Sequence, residues 1–163
     1  MAASQTPEDA EGFRDPLENY DPRVYADPLE KALAEESVAA IQHQPVATVS
    51  PDMPVGVAIQ KLANLHVACL LVEKAGRLVG VFSDRDVLDK VALEYAQVKE
   101  NPVSDVMTTD PVFVYASDSS AAALSVMAVC GFRHVPVTDL SQNVIGIVSP
   151  QRVTSFLRKQ LAD

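Results

Sequence analysis

The second half of this chain repeats the first. Segments that begin at Pro45 and Pro111 align at an offset of 65 or 66 residues, with a slip of one residue in the loops. Repeated units of this kind bury their apolar faces against one another, so a repeat is a stronger signal than any single motif. The matched pairs are Val46 with Val112, Asp52 with Asp118, Ala58 with Ala123, Val72 with Val137, Gly80 with Gly146 and Ser83 with Ser149. The repeat predicts two similar modules that pack together.

Each copy shows the pattern strand, helix, strand, strand, helix. In the first copy, strand-like runs at 45–49, 67–72 and 78–82 enclose a helical pattern from Val55 to Leu62. A helix then follows, with Val87, Leu88, Val91 and Tyr95 on one face. In the second copy the corresponding segments are 111–115, 120–130, 134–137 and 144–149. A last helix follows, with Pro150 in its first turn, and carries Val153, Phe156, Leu157 and Leu161. This order predicts an α/β fold, of the α+β type, built from two β-α-β-β-α modules.

The region before the repeat has a different composition. Residues 1–26 are rich in acidic residues and Asp-Pro steps, and we expect them to form a flexible acidic arm. Asp27 and Pro28 are suited to the cap and first position of a helix, which predicts an N-terminal helix at 27–40 that packs on the next domain. Binding of a partner by that helix is the alternative. The first module is then expected at residues 41–98 and the second module at residues 99–163.

Charge and composition exclude some classes of protein. Residues 1–40 carry ten acidic and three basic side chains, and residues 41–163 carry only −2 of the total net charge of −9. This nearly neutral module region argues against nucleic acid as a partner. No apolar run reaches the length of a membrane span, and we expect a cytoplasmic protein without a membrane partner. Both Cys69 and Cys130 lie in apolar runs, which favours reduced, buried thiols.

The turn that follows the third strand of the first copy is a candidate ligand site. The run from Gly80 to Asp86 ends a strand and begins a helix at Ser83 or Asp84. Unpaired backbone N–H groups at such a point suit an anion. Ser83 and Asp86 can present a hydroxyl and a carboxylate to the same space, and a carboxylate that accepts from two hydroxyls holds a ribose. Alternatively, Asp86 simply stabilises the first turn of its own helix, and the two roles are compatible.

Taken in order, these motifs resemble those of a stand-alone tandem pair of CBS domains, named after cystathionine β-synthase. The resemblance covers residues 40–161. It is carried by the Gly-x-x-Ser-x-x-Asp motif at 80–86, its partial copy at 146–152, the run Gly131–Val137 and the linker at 103–108. The resemblance implies two modules related by pseudo-twofold symmetry. It also implies adenine nucleotides such as AMP or ATP bound in clefts between the modules, and a homodimer formed through the CBS helices.

The resemblance places the ligand residues of one cleft. Asp86 would hold the ribose hydroxyls with help from Ser83, while Arg133 and His134 would contact phosphate. The adenosine site would consist of Val81, Ser83, Asp86, Thr108, Val112 and Phe132. A polar loop at the interface of the modules is the alternative reading of Arg133 and His134.

The second cleft departs from the pattern. Arg152 stands where the ribose-binding Asp is expected, Pro150 follows Ser149, and the facing run His66–Leu70 lacks an Arg-His pair. Because Arg has no hydrogen-bond acceptor, it cannot hold ribose hydroxyls as a carboxylate does. We therefore expect one competent site and one degenerate site at Ser149 and Arg152.

The sequence contains no catalytic motif that we recognise, and we expect neither an enzyme nor a catalytic cofactor. His66, Cys69, Cys130 and His134 fall at nearly matching positions in the two copies and are candidate metal ligands. Their spacing fits no closed zinc motif, so we expect no metal. The leading hypothesis is a regulatory sensor that binds an adenine nucleotide and acts on an unidentified partner protein. The rival is a dimerisation or docking scaffold whose cleft no longer binds nucleotide. A third option is S-adenosylmethionine or a dinucleotide as the ligand.

Overall fold

The structure, a computed structural model, describes residues 21–161 and contains two β-sheets flanked by helices. The first twenty residues of the predicted acidic arm, as well as residues 162–163, lie outside the described residues. Two sheets with helices packed on them confirm the predicted mixed α/β fold. Every helix in the described part of the chain is too short or too polar to cross a lipid bilayer.

The first module is built on a four-stranded sheet with the strand order β1-β2-β3-β4. Strand β1 is parallel to β2, whereas β2 is antiparallel to β3 and β3 is antiparallel to β4. The strands are β1 (Thr48–Val49), β2 (Cys69–Lys74), β3 (Arg77–Ser83) and β4 (Thr108–Thr109). The helices are α2 (Val55–Leu65), α3 (Asp84–Asp86) and α4 (Tyr95–Val98), with a π-helical segment (Val87–Val91) that directly continues α3.

The second module is built on a three-stranded sheet with the order β5-β6-β7. Strand β5 is parallel to β6, and β6 is antiparallel to β7, as in the first module. The strands are β5 (Val114–Tyr115), β6 (Val135–Thr138) and β7 (Val144–Val148). The helices are α5 (Ser120–Cys130), whose bounds match the prediction from sequence, and α6 (Pro150–Leu161), which contains all the residues predicted for the last helix. Most strands are shorter than predicted or begin one or two residues later.

Each module is completed by the segment that precedes the other one. Strand β4, which leads into the second module, pairs with β3 of the first. The helix α1 (Pro28–Glu35) packs on α5 and α6 of the second module, and Val38 and Ile41 are buried in that module's core. The backbone N–H of His43 then donates to the carbonyl of Ile147 at 2.8 Å. This exchange ties the two modules together.

A small apolar cluster forms the contact between the modules. It consists of buried Cys69, Leu71 and Ile147, with partly buried neighbours from both sheets. The core of each module lies on the other face of its sheet, against the helices. Strand β2 is therefore apolar on both faces, as its unbroken apolar run predicts.

The helix after β3 differs from the single amphipathic helix that the sequence predicts. Its hydrogen bonding shifts to a π turn in which the N–H of Ala92 donates to the carbonyl of Val87 at 2.8 Å. One extra residue in the turn rotates the following side chains. Val91 is consequently buried, whereas Leu88 is 71% exposed, so the predicted common apolar face is wrong.

The two cysteines occupy different environments. Cys69 is buried, and burial raises the pKa of its thiol to about 12. The prediction of a buried thiol is wrong for Cys130, which is exposed at the end of α5. The apolar run in α5 continues past the part of the helix that packs on the sheet, so its last turn faces outwards.

The side chain of Asp27 caps the N-terminus of helix α1, and removal of this cap should lower the stability of the protein. The Asp27 carboxylate accepts from the N–H of Glu30 at 2.8 Å, at an exposed position. We expect Asp27→Ala to lower the free energy of unfolding by about 1 kcal/mol, because the first turn loses its acceptor. Urea denaturation measures this change, with the exposed Asp52→Ala as the matched control. Equal effects of both substitutions would show that the cap contributes nothing.

Candidate ligand-binding cleft between the modules

A cavity of about 490 Å³ lies where the two modules meet. One wall is the end of β3 with the start of the following helix, and the opposite wall is the loop between α5 and β6. The residues predicted from sequence all line this one cavity: Val81, Ser83, Asp86, Thr108, Val112, Phe132, Arg133 and His134. The fold thus brings together residues that are up to 53 positions apart in the sequence.

The cavity also has walls that the sequence reasoning missed. Leu88 and Asp89 lie on the π-helical segment, and their approach depends on the extra residue in that turn. Pro111 adjoins Val112 and Pro136 follows His134 by two residues, so their closeness to predicted residues could have identified these two prolines. The complete set of missed lining residues is Ala68, Cys69, Asp84, Arg85, Leu88, Asp89, Pro111 and Pro136.

Asp86 is held first by the turn in which it lies. Its Oδ2 atom accepts from the backbone N–H of Ser83 at 2.9 Å and from the Ser83 hydroxyl at 2.7 Å. The Asp86 N–H in turn points at the Ser83 oxygen at 3.3 Å, which completes a capping box. Asp86 therefore does stabilise the first turn of its helix, and it is only 5% exposed.

The other carboxylate oxygen of Asp86 connects the helix to the linker. Oδ1 accepts from the Thr108 hydroxyl of β4 at 3.0 Å and from the Lys90 ammonium at 2.8 Å. Lys90 was not predicted from sequence, although Asp and Lys four residues apart in a helix are a recognisable pair. An ionised carboxylate has about four acceptor positions, and four donors now point at this one. A ligand hydroxyl can bind Asp86 only by replacing one of them.

Asp86 is ionised at neutral pH. Burial alone would raise the pKa of its carboxyl group, but hydrogen bonds from Lys90, Ser83 and Thr108 outweigh burial and lower the pKa below its usual value. The Ser83 and Thr108 hydroxyls line the cavity, so a buried anion with two exchangeable hydroxyl partners faces its interior. This is an arrangement that can receive a vicinal diol.

The opposite wall offers positive charge and apolar surface. Arg133 is exposed, and His134 is half-buried. Burial lowers the pKa of His134, the nearby Asp84 carboxylate opposes this shift, and Arg133 adds to it. His134 is therefore mainly neutral at pH 7, and Arg133 carries the charge on this loop. Phe132 and Val112 leave part of their apolar surface uncovered at the cavity.

A second cavity of about 830 Å³ lies at the equivalent place on the other side of the interface. Ser149 and Arg152 line it, and the Arg152 guanidinium lies 2.6 Å from Nδ1 of His43. His43 pairs with β7 as Thr108 pairs with β3, so the Asp86–Thr108 contact is replaced here by an Arg152–His43 contact. None of the described residues that line this cavity is an Asp or Glu.

The candidate metal ligands do not form a metal site. Within residues 21–161, no three His, Cys, Asp or Glu side chains are grouped closely enough to hold an ion. Cys130 is exposed, while Cys69 is buried in the contact between the modules.

Comparison with known proteins agrees with the repeat and the fold. The CBS domain model matches twice, at residues 38–93 and 103–159. The CBS domain-containing protein CBSCBSPB1 of Arabidopsis thaliana is 32% identical over 71% of this chain, but the chain covers only 22% of that protein. The CBS domain-containing protein YhcV of Bacillus subtilis is 32% identical over 64% of this chain and 73% of its own length.

A solved structure shares the architecture. CBSX2 of Arabidopsis thaliana, determined in complex with AMP, superposes with a TM-score of 0.67 at 27% identity. The alignment covers 76% of this chain and 96% of CBSX2. The two family matches together span more than half of the chain. The first match contains strands β1 to β3, and the second contains strands β4 to β7. The chain therefore belongs to the CBS domain family, with two CBS domains in tandem.

Proposed function

We propose that this chain is a regulatory, non-catalytic module that binds an adenine nucleotide, AMP or ATP, in the cleft that contains Asp86. The observation that carries the proposal is the single cavity in which an ionised carboxylate of one module faces the Arg133 loop of the other. The AMP complex of CBSX2 supports it, because that protein shares the fold at 27% identity.

Each part of an adenine nucleotide has a matching surface in the cleft. The ribose hydroxyls would replace the Ser83 and Thr108 hydroxyls on Asp86, an exchange of like donors that leaves the carboxylate satisfied. The adenine ring would lie against the apolar side chains Val81, Val112 and Phe132. The Arg133 guanidinium would form a paired hydrogen bond with phosphate oxygens, and His134 would add one N–H donor.

Such a ligand contacts both modules, which is the basis for regulation. Ligand binding shifts the arrangement of the modules only to the extent that the ligand binds one arrangement better than another. The regulatory output would need a partner protein that responds to this arrangement. A homodimer through the CBS helices is part of the proposal, and the 85% exposed Val129 on α5 is apolar surface available for it. Light scattering coupled to gel filtration measures the oligomeric state.

A docking scaffold with a non-functional cleft is the second candidate. It is favoured by one observation, namely that side chains of the protein itself already occupy the acceptor positions of Asp86. In that case Ser83, Thr108 and Lys90 would permanently close the site. The two candidates differ in whether any ligand stabilises the fold.

A thermal-shift screen separates these functions. AMP, ADP, ATP, S-adenosylmethionine and NAD share the adenosine end, and guanosine monophosphate serves as the control. A ligand at 100 times its Kd stabilises the folded state by about 2.7 kcal/mol, which is a clear rise in Tm. We expect AMP or ATP to give the largest rise. Equal, negligible shifts with every adenosine compound would favour the scaffold, and the largest shift with S-adenosylmethionine would change the ligand assignment.

The difference between the two clefts predicts the binding stoichiometry. We expect calorimetric titration with AMP to give one site per chain, because the Arg152–His43 pair in the second cleft offers no carboxylate to a ribose. The variant Arg152→Asp supplies the missing acid and tests the reason directly. Two equivalent sites in the wild-type chain would contradict the asymmetry.

A further inference from the structure

The Lys90 side chain occupies an unusual position behind the candidate site. Its ammonium donates to Oδ1 of Asp86 at 2.8 Å and to the carbonyl of Val106 at 2.8 Å, and it lies 3.3 Å from the carbonyl of Met107. These three acceptors match the three N–H donors of an ammonium group. Lys90 is not among the residues that line the cleft, whereas Asp86 and Thr108, the residues it holds together, both are.

The repeat contains an internal comparison for this position. At the offset of 66 residues, Asp86 corresponds to Arg152 and Lys90 corresponds to Phe156. Phe156 is 6% exposed and belongs to the core of the second module. The module with the carboxylate therefore has a cation behind it, while the module with Arg152 has a buried ring in the corresponding position. In this chain, the copy that has the Asp also has the Lys four residues later, and the copy that lacks one lacks the other.

We propose that Lys90 is a positioning residue for the ligand, which holds the Asp86 carboxylate from behind and fixes it to the linker carbonyls while ligand hydroxyls replace those of Ser83 and Thr108. This inference rests on the proposed function, because it concerns the same cleft. The Ser83 and Thr108 hydroxyls line the cavity and are exchangeable, whereas Lys90 lies outside the path of the ligand.

The same contacts connect the site to the linker between the modules. The carbonyls of Val106 and Met107 directly precede Thr108, the first residue of β4. Lys90 thus keeps the segment that leads into the second module next to Asp86 even after Thr108 has released the carboxylate. Loss of Lys90 leaves Asp86 held only by its own turn at Ser83 when a ligand is bound.

Other charged and titratable groups lie near Asp86 and can contribute to a pH titration of the cleft. On its own helical segment these are Asp84, Arg85, Asp89 and Lys90, and the opposite wall contributes Arg133 and His134. The Cys69 thiol of β2 also lies nearby, but it is neutral throughout because burial raises its pKa to about 12. Removal of Lys90 takes away the largest influence that lowers the pKa of Asp86.

The test compares Lys90→Met, which keeps the aliphatic stem, with Lys90→Arg, which keeps the positive charge. Lys99→Met is the matched control, since Lys99 is exposed and its ion partner Glu100 lies 4.0 Å away. Calorimetric titrations of the full chain with AMP are run from pH 8 to the lowest pH at which each protein stays folded. In parallel, the carboxyl ¹³C shift of Asp86 is followed by NMR in the ligand-free proteins.

We expect Lys90→Met to weaken AMP binding about tenfold at pH 7, roughly the loss of one charge-assisted hydrogen bond. Asp86 must be ionised to accept hydrogen bonds from AMP, and loss of Lys90 raises the pKa of Asp86. As the pH is lowered, the AMP affinity of Lys90→Met should therefore begin to fall at a higher pH than that of the wild type. The NMR titration should move in the same direction, while Lys90→Arg and Lys99→Met remain close to the wild type.

Two outcomes separate this inference from the proposed function. If wild-type protein binds AMP and Lys90→Met shows the same affinity and pH dependence, the role of Lys90 is overturned and the site stands. If the wild type binds no adenosine compound, the proposed function fails. The role of Lys90 is then judged from the NMR titration alone, and an unchanged Asp86 titration in Lys90→Met would show that Lys90 does not hold the carboxylate. A merely structural role would lower stability without moving either pH profile.

Discussion

Substitution of Asp86 by Asn is expected to weaken AMP binding at least about a hundredfold. The carboxylate would accept from two ribose hydroxyls, and hydrogen bonds to a charged group contribute about 1.5–3 kcal/mol each. The Asn side chain keeps the shape of Asp but has one acceptor oxygen in place of two. Its NH2 group is a hydrogen-bond donor, so it cannot accept from Lys90 and Thr108 as the carboxylate oxygen does. Calorimetric titration with AMP measures the change.

The same substitution has a second, smaller consequence for stability. The pKa of Asp86 is lower in the folded state than in the unfolded chain, where it is about 4. Ionised Asp86 therefore stabilises the fold at pH values above the unfolded pKa, and this contribution is lost as pH falls through the folded-state pKa. Asp86→Asn should remove that part of the acid dependence of the free energy of unfolding. Asp52→Asn, at an exposed position that does not line the cleft, is the control, and it should leave AMP affinity unchanged. Undiminished AMP binding by Asp86→Asn would reject the ribose assignment.

Substitution of Arg133 by Met is expected to weaken AMP binding about thirtyfold while adenosine binding changes little. Arg133 carries the charge on its loop, since the pKa of His134 is lowered mainly by burial. A guanidinium forms paired, charge-assisted hydrogen bonds with phosphate, whereas it has no comparable partner in the nucleoside. The ratio of the AMP and adenosine dissociation constants is the quantity to measure.

Exposed Arg158 on α6 offers a matched control for this experiment. Arg158→Met removes the same charge at a position that does not line either cavity, and its AMP to adenosine ratio should equal that of the wild type. An equal loss of AMP and adenosine affinity in Arg133→Met would mean that the loop packs against the nucleoside. The phosphate assignment would then be wrong, and the polar-loop interpretation of Arg133 and His134 would be preferred.

The sequence was sufficient to predict the two modules and half of the residues that line the cleft. The repeat at 65 or 66 residues predicted two packed units, the helix predicted at 120–130 matches α5, and the last predicted helix lies within α6. These features depend on local patterns: periodic apolar residues, caps and proline positions act over a few residues and are visible in the chain itself. The resemblance to CBS domains supplied eight of the sixteen residues that line the first cavity.

Only the tertiary structure revealed which groups already hold the site residues. The contacts of Asp86 with Thr108, and of Lys90 with the linker carbonyls, span 16 to 22 residues, and the Arg152–His43 contact spans 109. They arise because each module is completed by the segment that precedes its twin, an exchange that no local pattern encodes. The π turn at 87–91 is likewise absent from the sequence prediction, because the apolar positions of this segment fit a regular helix. Short-range preferences determined the elements of this protein, and long-range contacts between them decided the chemistry of its cleft.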